Sequence, residues 1–108
     1  MSNDKLIKKE YKDYLMTRCS FSCASASSYI SALNSVVKLL ESYGCDGFYS
    51  IRNLHDLLDV KTYATTLDEF EYLNLKHHHS CSCSLTHYYD FAAGNKKFSH
   101  VWNRPVRI

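Results

Sequence analysis

The residues best equipped for chemistry lie between His77 and Cys83, in the run HHHSCSC. Zinc takes four nitrogen or sulfur ligands in a tetrahedron. His77, His78, His79, Cys81 and Cys83, with Cys19 and Cys23 as a second pair, are of the right types. Their spacing argues against a site. On a helix, residues two apart do not share a face, so Cys81 and Cys83 point to different sides. No Cys-x2-Cys knuckle occurs. Cysteine is also a common small core residue, so neither metal nor cofactor is expected. Cys81 and His87 are six apart and do not present a nucleophile and its base on one face. No G-x-S-x-G elbow, Walker A loop or G-x-G-x-x-G turn is present. Asp68, Glu69 and Glu71 cluster without a metal or base partner nearby and read as solvated helix surface. The expectation is a protein that is not an enzyme.

Recognition of phosphate is the chemistry that remains. Two serine-rich helix starts offer hydroxyls and backbone N–H groups to phosphate oxygens: Ser25, Ser27 and Ser28, then Ser80, Ser82, Ser84 and Thr86. Cations that could neutralise phosphates are Lys8, Lys9, Lys12, Arg18, Lys76, Lys96, Lys97, Arg104 and Arg107. His79, with His77 and His78, adds positive charge mainly below about pH 6.5. In the plainer alternative the serines only cap helices and the lysines only keep the surface soluble.

The charge pattern leans toward a phosphate binder. Net charge is +2, but residues 1–20 hold five Lys/Arg against three Asp/Glu, and residues 76–108 five against one. Residues 41–75 hold two against seven. Two basic ends around an acidic middle give the basic pole that nucleic-acid binding needs. Five cysteines, an odd number, and an N-terminus without an apolar leader segment point to free thiols in a reducing, cytoplasmic setting. No apolar run is long enough to span a membrane.

The elements that position these residues read as helices. One Pro and three Gly in 108 residues leave few breakers. A first helix is expected over 4–17, capped by Asn3 or Ser2, with Leu6, Ile7, Tyr11, Tyr14 and Leu15 inward. A second spans 24–43 on Tyr29, Ile30, Leu33, Val36, Val37 and Leu40. Ser22, Ser25 or Ser27 caps it and Gly44 stops it. Phe48 and Tyr49 insert into the core after a turn. A third helix over 53–60 starts at Asn53 and points Leu54, Leu57 and Leu58 inward. A fourth over 61–74 uses Tyr63, Leu67, Phe70, Tyr72 and Leu73. The two are either separate or one bent rod, with Thr65 and Thr66 weakening the join. A fifth over 80–93 uses Leu85, Tyr88, Tyr89 and Phe91. The expected architecture is all-α: one domain over 1–93, a bundle of four to five helices, then an extended arm over 94–108 packing Phe98, Val101 and Trp102.

The string YKDYL, SASSYISALNSVVKLLESYG, FYSIRNLHDL and FEYLNLKHHHSCSCSLTHYYDF resembles the SAM-like phage-integrase N-terminal (core-binding) domain. In particular it is similar to the version found ahead of HNH and other restriction-type nucleases. Tyr11, Tyr14 and Leu15 match the first-helix motif. Ser25, Ser28, Tyr29, Ala32 and Leu33 approximate the second. Phe48, Tyr49 and Ile51 match the link, and Asn74, His79, Ser80, Ser82, Leu85, Tyr88, Tyr89 and Phe91 the last element. The resemblance covers roughly residues 8–93. It implies a SAM-like bundle that clamps double-stranded DNA with the faces of its second and last helices. Where that pattern carries cations on those helices, this chain has mostly serine, leaving Lys38 and the histidines. No nuclease or recombinase domain follows in this sequence, so the resemblance implies a stand-alone DNA binder from a phage or mobile element. The alternative is a module repurposed to bind a protein, such as an anti-restriction or anti-CRISPR inhibitor of a host nuclease. That reading expects an exposed aromatic patch from Phe48, Tyr49, Tyr63 or Trp102, or use of the acidic 41–75 surface. A homodimer through the Tyr-rich surface or the tail is compatible with both.

Overall fold

The structure, a computed structural model, describes residues 2–45 and 47–99, the first three of them by backbone alone. It is all-helical: α1 Ser2–Thr17, α2 Cys23–Ser42, a short 3-10 turn Phe48–Ser50, α3 Leu54–Thr65, α4 Asp68–Lys76 and α5 Ser80–Ala93. Ser2 and Asn3, expected as caps, lie inside α1.

Local chemistry sets the boundaries. At the start of α2 the Ser22 hydroxyl accepts from Ser25 N at 3.1 Å, which satisfies a first-turn amide that has no partner within the helix. At its end Gly44 takes φ 88°. Gly44 N donates to Glu41 O at 3.0 Å and Cys45 N to Leu40 O at 2.9 Å, the paired bonds of a Schellman stop. Asn53 Oδ1 accepts from His55 N at 2.9 Å and Asp56 N at 3.3 Å, which starts α3. Helices α3 and α4 are separate, with the break at Thr66–Leu67 rather than at residue 60. There the Thr65 and Thr66 hydroxyls donate back to Thr62 O and Tyr63 O, competing with the helical ladder. Asp68, Glu69 and Glu71 then fill the first turn of α4, where the helix dipole favours anions.

The core is aromatic and centres on Tyr88. Its ring meets Tyr11 edge-on at 5.1 Å and Phe48 at 5.2 Å, with Phe91 and Phe98 beyond. Tyr11 Oη bonds the Ser84 carbonyl at 3.0 Å, and the Ser84 hydroxyl donates to Tyr29 O at 2.8 Å. That chain of bonds ties α1, α5 and α2 together through buried polar atoms. Burial holds the Tyr11 phenol well above its ordinary range, against the opposing pull of its bond to Ser84. Phe48 and Tyr49 are buried as expected.

Several expected anchors are not core residues. Leu6, Leu58, Tyr63 and Tyr72 are exposed. Tyr72 lies opposite the buried Phe70 on α4, and the other three sit on helices whose buried face is narrower than their apolar pattern, as in α3, where Leu54, Leu57 and Ala64 do the packing. The arm departs from the extended form at its start. Residues 94–98 turn, with Phe98 N donating to Asn95 O at 3.1 Å. Phe98 is buried under Arg52, whose guanidinium lies 5.3 Å from the ring. Ser99 then pairs with the start of α3, exchanging bonds with Arg52 O and Leu54 N. Val101 and Trp102 lie outside the described residues.

Candidate nucleic-acid interface

Helix α1 repeats lysine at 5, 8, 9 and 12. That spacing places all four on one face of a helix, beside the buried stripe Ile7, Tyr11 and Leu15. The opposite flank carries Glu10 and Asp13. α1 therefore shows a cationic and an anionic side, and packing decides what each meets.

The cationic side meets α2. Lys8 lies over the Tyr49 ring, Nζ 4.8 Å from its centroid. Tyr49 donates to Asn34 Oδ1 at 2.6 Å, so the ring that supports Lys8 is itself anchored. Lys8, Ser31, Asn34, Val37, Lys38, Glu41 and Tyr49 line a groove of about 500 Å³ between α1 and α2, so its two lysines share it with one carboxylate. Ser27, Ser28 and Ser31 are exposed on α2. Farther round the same helix, Ser35 Oγ lies 3.5 Å from His77 Nε2. Thus the α4–α5 corner, with Lys76 and His77–His79, borders the serine face on the side away from α1.

Of the expected residues Lys8 lies in this groove, beside Lys38; Lys9 and Lys12 share its side of α1 with Lys5, Ser27 and Ser28 lie on the exposed surface of α2, and Lys76 and His79 stand at the far corner. Lys38, Lys5, Ser31 and Asn34 were absent from the expected site. The 5–8–9–12 spacing was the signal for Lys5. Asn34 and Ser31 carry none, because their role depends on which flank of α2 receives α1.

Other expected residues fall elsewhere. Arg18 lies at the end of α1 in a different groove of about 420 Å³, lined also by Glu10, Asp13 and Asp90. It lies among carboxylates on a different groove, so it does not extend the lysine face. Lys97 pairs with Glu10, and this bond with that from Asn95 holds the Glu10 carboxyl below its ordinary range. Lys96 is exposed on the same turn. Arg104 and Arg107 lie outside the described residues.

The two helix starts also differ from expectation. α2 and α5 pack antiparallel: Cys81 Sγ is 3.7 Å from Ala32 O, and His87 stacks edge-on against Tyr29 and Phe21. The start of α5 is thus about two turns along α2 from Ser25, and the two N-termini point oppositely. Two of their amides are already used. Ser25 N is held by Ser22, and Ser82 N donates to Asn74 Oδ1 at 3.0 Å. Cations and hydroxyls, rather than those two amides, are what this surface offers a phosphate. His78 and His79 take φ 55° and 68° at the corner, a left-handed bend made without glycine.

The cysteines do not assemble. All five are free thiols, Cys81 is buried, and burial pushes its thiol up to about 11. Among the described residues no three His, Cys, Asp or Glu side chains come close enough to hold an ion. No described helix is long and apolar enough to cross a membrane. No known protein family, curated protein or solved structure matches the chain.

Proposed function

We propose that this chain is a non-catalytic DNA-binding module of the phage or mobile-element type, contacting duplex phosphates through the lysine side of α1 and the serine face of α2. The carrying observation is the α1–α2 groove, where Lys8 and Lys38 converge with Ser31 and Asn34. The SAM-like resemblance supports the reading from the sequence side. Helix α2, 20 residues long, runs about 30 Å, close to the roughly 34 Å of one duplex turn.

Fluorescence anisotropy with a labelled duplex of about 25 bp, repeated across salt, tests it. The expected result is binding that weakens steeply with salt and barely depends on sequence. Charge reversal at Lys8, Lys12 and Lys38 together lowers the salt slope by about three, one for each lost phosphate contact. Absence of binding at low salt sinks the reading, and an unchanged slope in the triple variant moves the face elsewhere.

A second reading, an inhibitor of a host nuclease system that binds protein, draws on one observation. Tyr63, Tyr72 and Leu75 are exposed beside Asp68 and Glu69. Phe48 and Tyr49, buried at 2% and 5% exposure, are withdrawn from that role because they fill the core.

A further inference from the structure

We infer that two copies of this chain associate, with the lysine side of α1 from one copy docking on the outer face of α4 from the other. The outer face of α4 carries Asp68, Glu71, Tyr72 and Leu75 at three- and four-residue spacing, which is one helical stripe. Tyr72 is 68% and Leu75 60% exposed, the two most exposed large apolar side chains described. Phe70, on the opposite side of the same helix, fills the core. The stripe is both acidic and apolar.

The complement lies on α1. Lys5, Lys9, Lys12 and Met16 follow the same helical spacing, all exposed except the half-buried Lys12. Two exposed amphipathic helices of opposite charge therefore exist in one chain. They cannot meet within it. α1 packs on the side of α2 that bears Asn34 and Lys38, whereas α4 packs on the side that bears Ser35 and Tyr43, through Ser35–His77 and Tyr43–Glu69. With α2 between them, the matching stripes of one chain can meet only across two copies. Net charge of +2 imposes little repulsion between copies.

Such a contact pairs apolar groups at its centre with exposed ion pairs around them, so it is weak and sensitive to salt. Sedimentation velocity of the full chain over a wide concentration range, at low and high salt, reads it directly. The expected result is concentration-dependent association that weakens at high salt. Two charge-swap variants give the decisive comparison. Lys9→Glu with Lys12→Glu makes both stripes acidic, and Asp68→Lys with Glu71→Lys makes both basic. Each variant alone associates on the order of tenfold more weakly than the parent chain. An equal mixture of the two recovers association, since each acidic stripe again faces a basic one. Recovery cannot come from a variant that has failed to fold, and circular dichroism confirms helicity in each. A parent chain that stays monomeric throughout overturns the inference and leaves the α4 stripe to a different cationic partner. Association that both variants retain unchanged overturns it as well. Duplex binding is scored on Tyr72→Ser with Leu75→Ser, which weakens the α4 stripe without changing charge. Loss of self-association with duplex binding intact separates the two readings, and since both draw on the α1 lysines, excess duplex is expected to suppress self-association of the parent chain.

Discussion

Burial divides the five thiols at the scale of single residues. Cys81 is fully buried against the Ala32 carbonyl, and its thiol is raised to about 11 by loss of water around the charged form. Cys23 and Cys83 are exposed. The thiolate is the reactive species, so alkylation near neutral pH labels Cys23 and Cys83 first and Cys81 only on unfolding. Peptide mass mapping against time checks that order, and early labelling of Cys81 contradicts its burial. The Glu10–Lys97 pair gives a pH signature. Glu10 is lowered from its ordinary 4.5 by the bonds from Lys97 and Asn95. A depressed carboxylate adds stability above the ordinary value, and that stability is lost as pH falls through the lowered one. The pair is largely solvated, so the amount is under about 1 kcal/mol. Glu10→Gln is less stable than the parent near neutral pH, and the gap closes in acid. Urea unfolding at several pH values measures it.

At the scale of elements, the ends of helices were the most legible feature of the chain. Gly94 ends α5 at φ −97°, without the left-handed turn that favours glycine, whereas Ser22, Gly44 and Asn53 sit at the boundaries their chemistry demands. Each works through bonds to residues two to five positions away, so sequence alone contains both partners. Asn53→Ala removes an acceptor from two α3 amides and costs about 1 kcal/mol. A larger loss means that the adjoining pairing of Ser99 with Arg52 and Leu54 loosens with the cap, and thermal unfolding of the variant measures it. The α4–α5 corner was less legible. His78 and His79 adopt left-handed backbone without the glycine that usually announces it, and the cap of α5 comes from Asn74, eight residues before Ser82. Nothing in the local pattern marks a cap delivered by the preceding helix.

For the whole molecule, stability rests on one aromatic cluster shared by α1, the 3-10 turn, α5 and the arm. Phe48 is its smallest structural unit, a ring supplied by a three-residue turn to the Tyr88 centre. Phe48→Ala leaves a cavity among rings that other elements hold in place. It is expected to cost about 3–5 kcal/mol, visible as a large fall in the urea midpoint. A cost below about 1 kcal/mol would mean the cluster closes over the gap. The charge segregation also belongs to this scale. The α4 carboxylates lie across α2 from the α1 lysines, and both proposals rest on that division.

The all-helical class, the ends of α1, α2 and α5 to within two residues, and the burial of Phe48, Tyr49, Leu85 and Phe91 were determined by the sequence itself, whereas the division of α3 from α4 was not. Apolar period and capping chemistry act over a few residues, and an aromatic-rich chain with few breakers has little choice but to pack helices. The site was only half legible. Lysine at 5, 8, 9 and 12 specifies a cationic side of α1 from spacing alone. That Lys38, Ser31 and Asn34 line its groove, that Arg18 lies on another groove and Lys97 pairs with Glu10, and that Tyr72 and Leu75 stay outside were decided by tertiary structure. Helical period tells which residues share a face, but which face receives a neighbour depends on how several helices divide the available apolar surface among themselves.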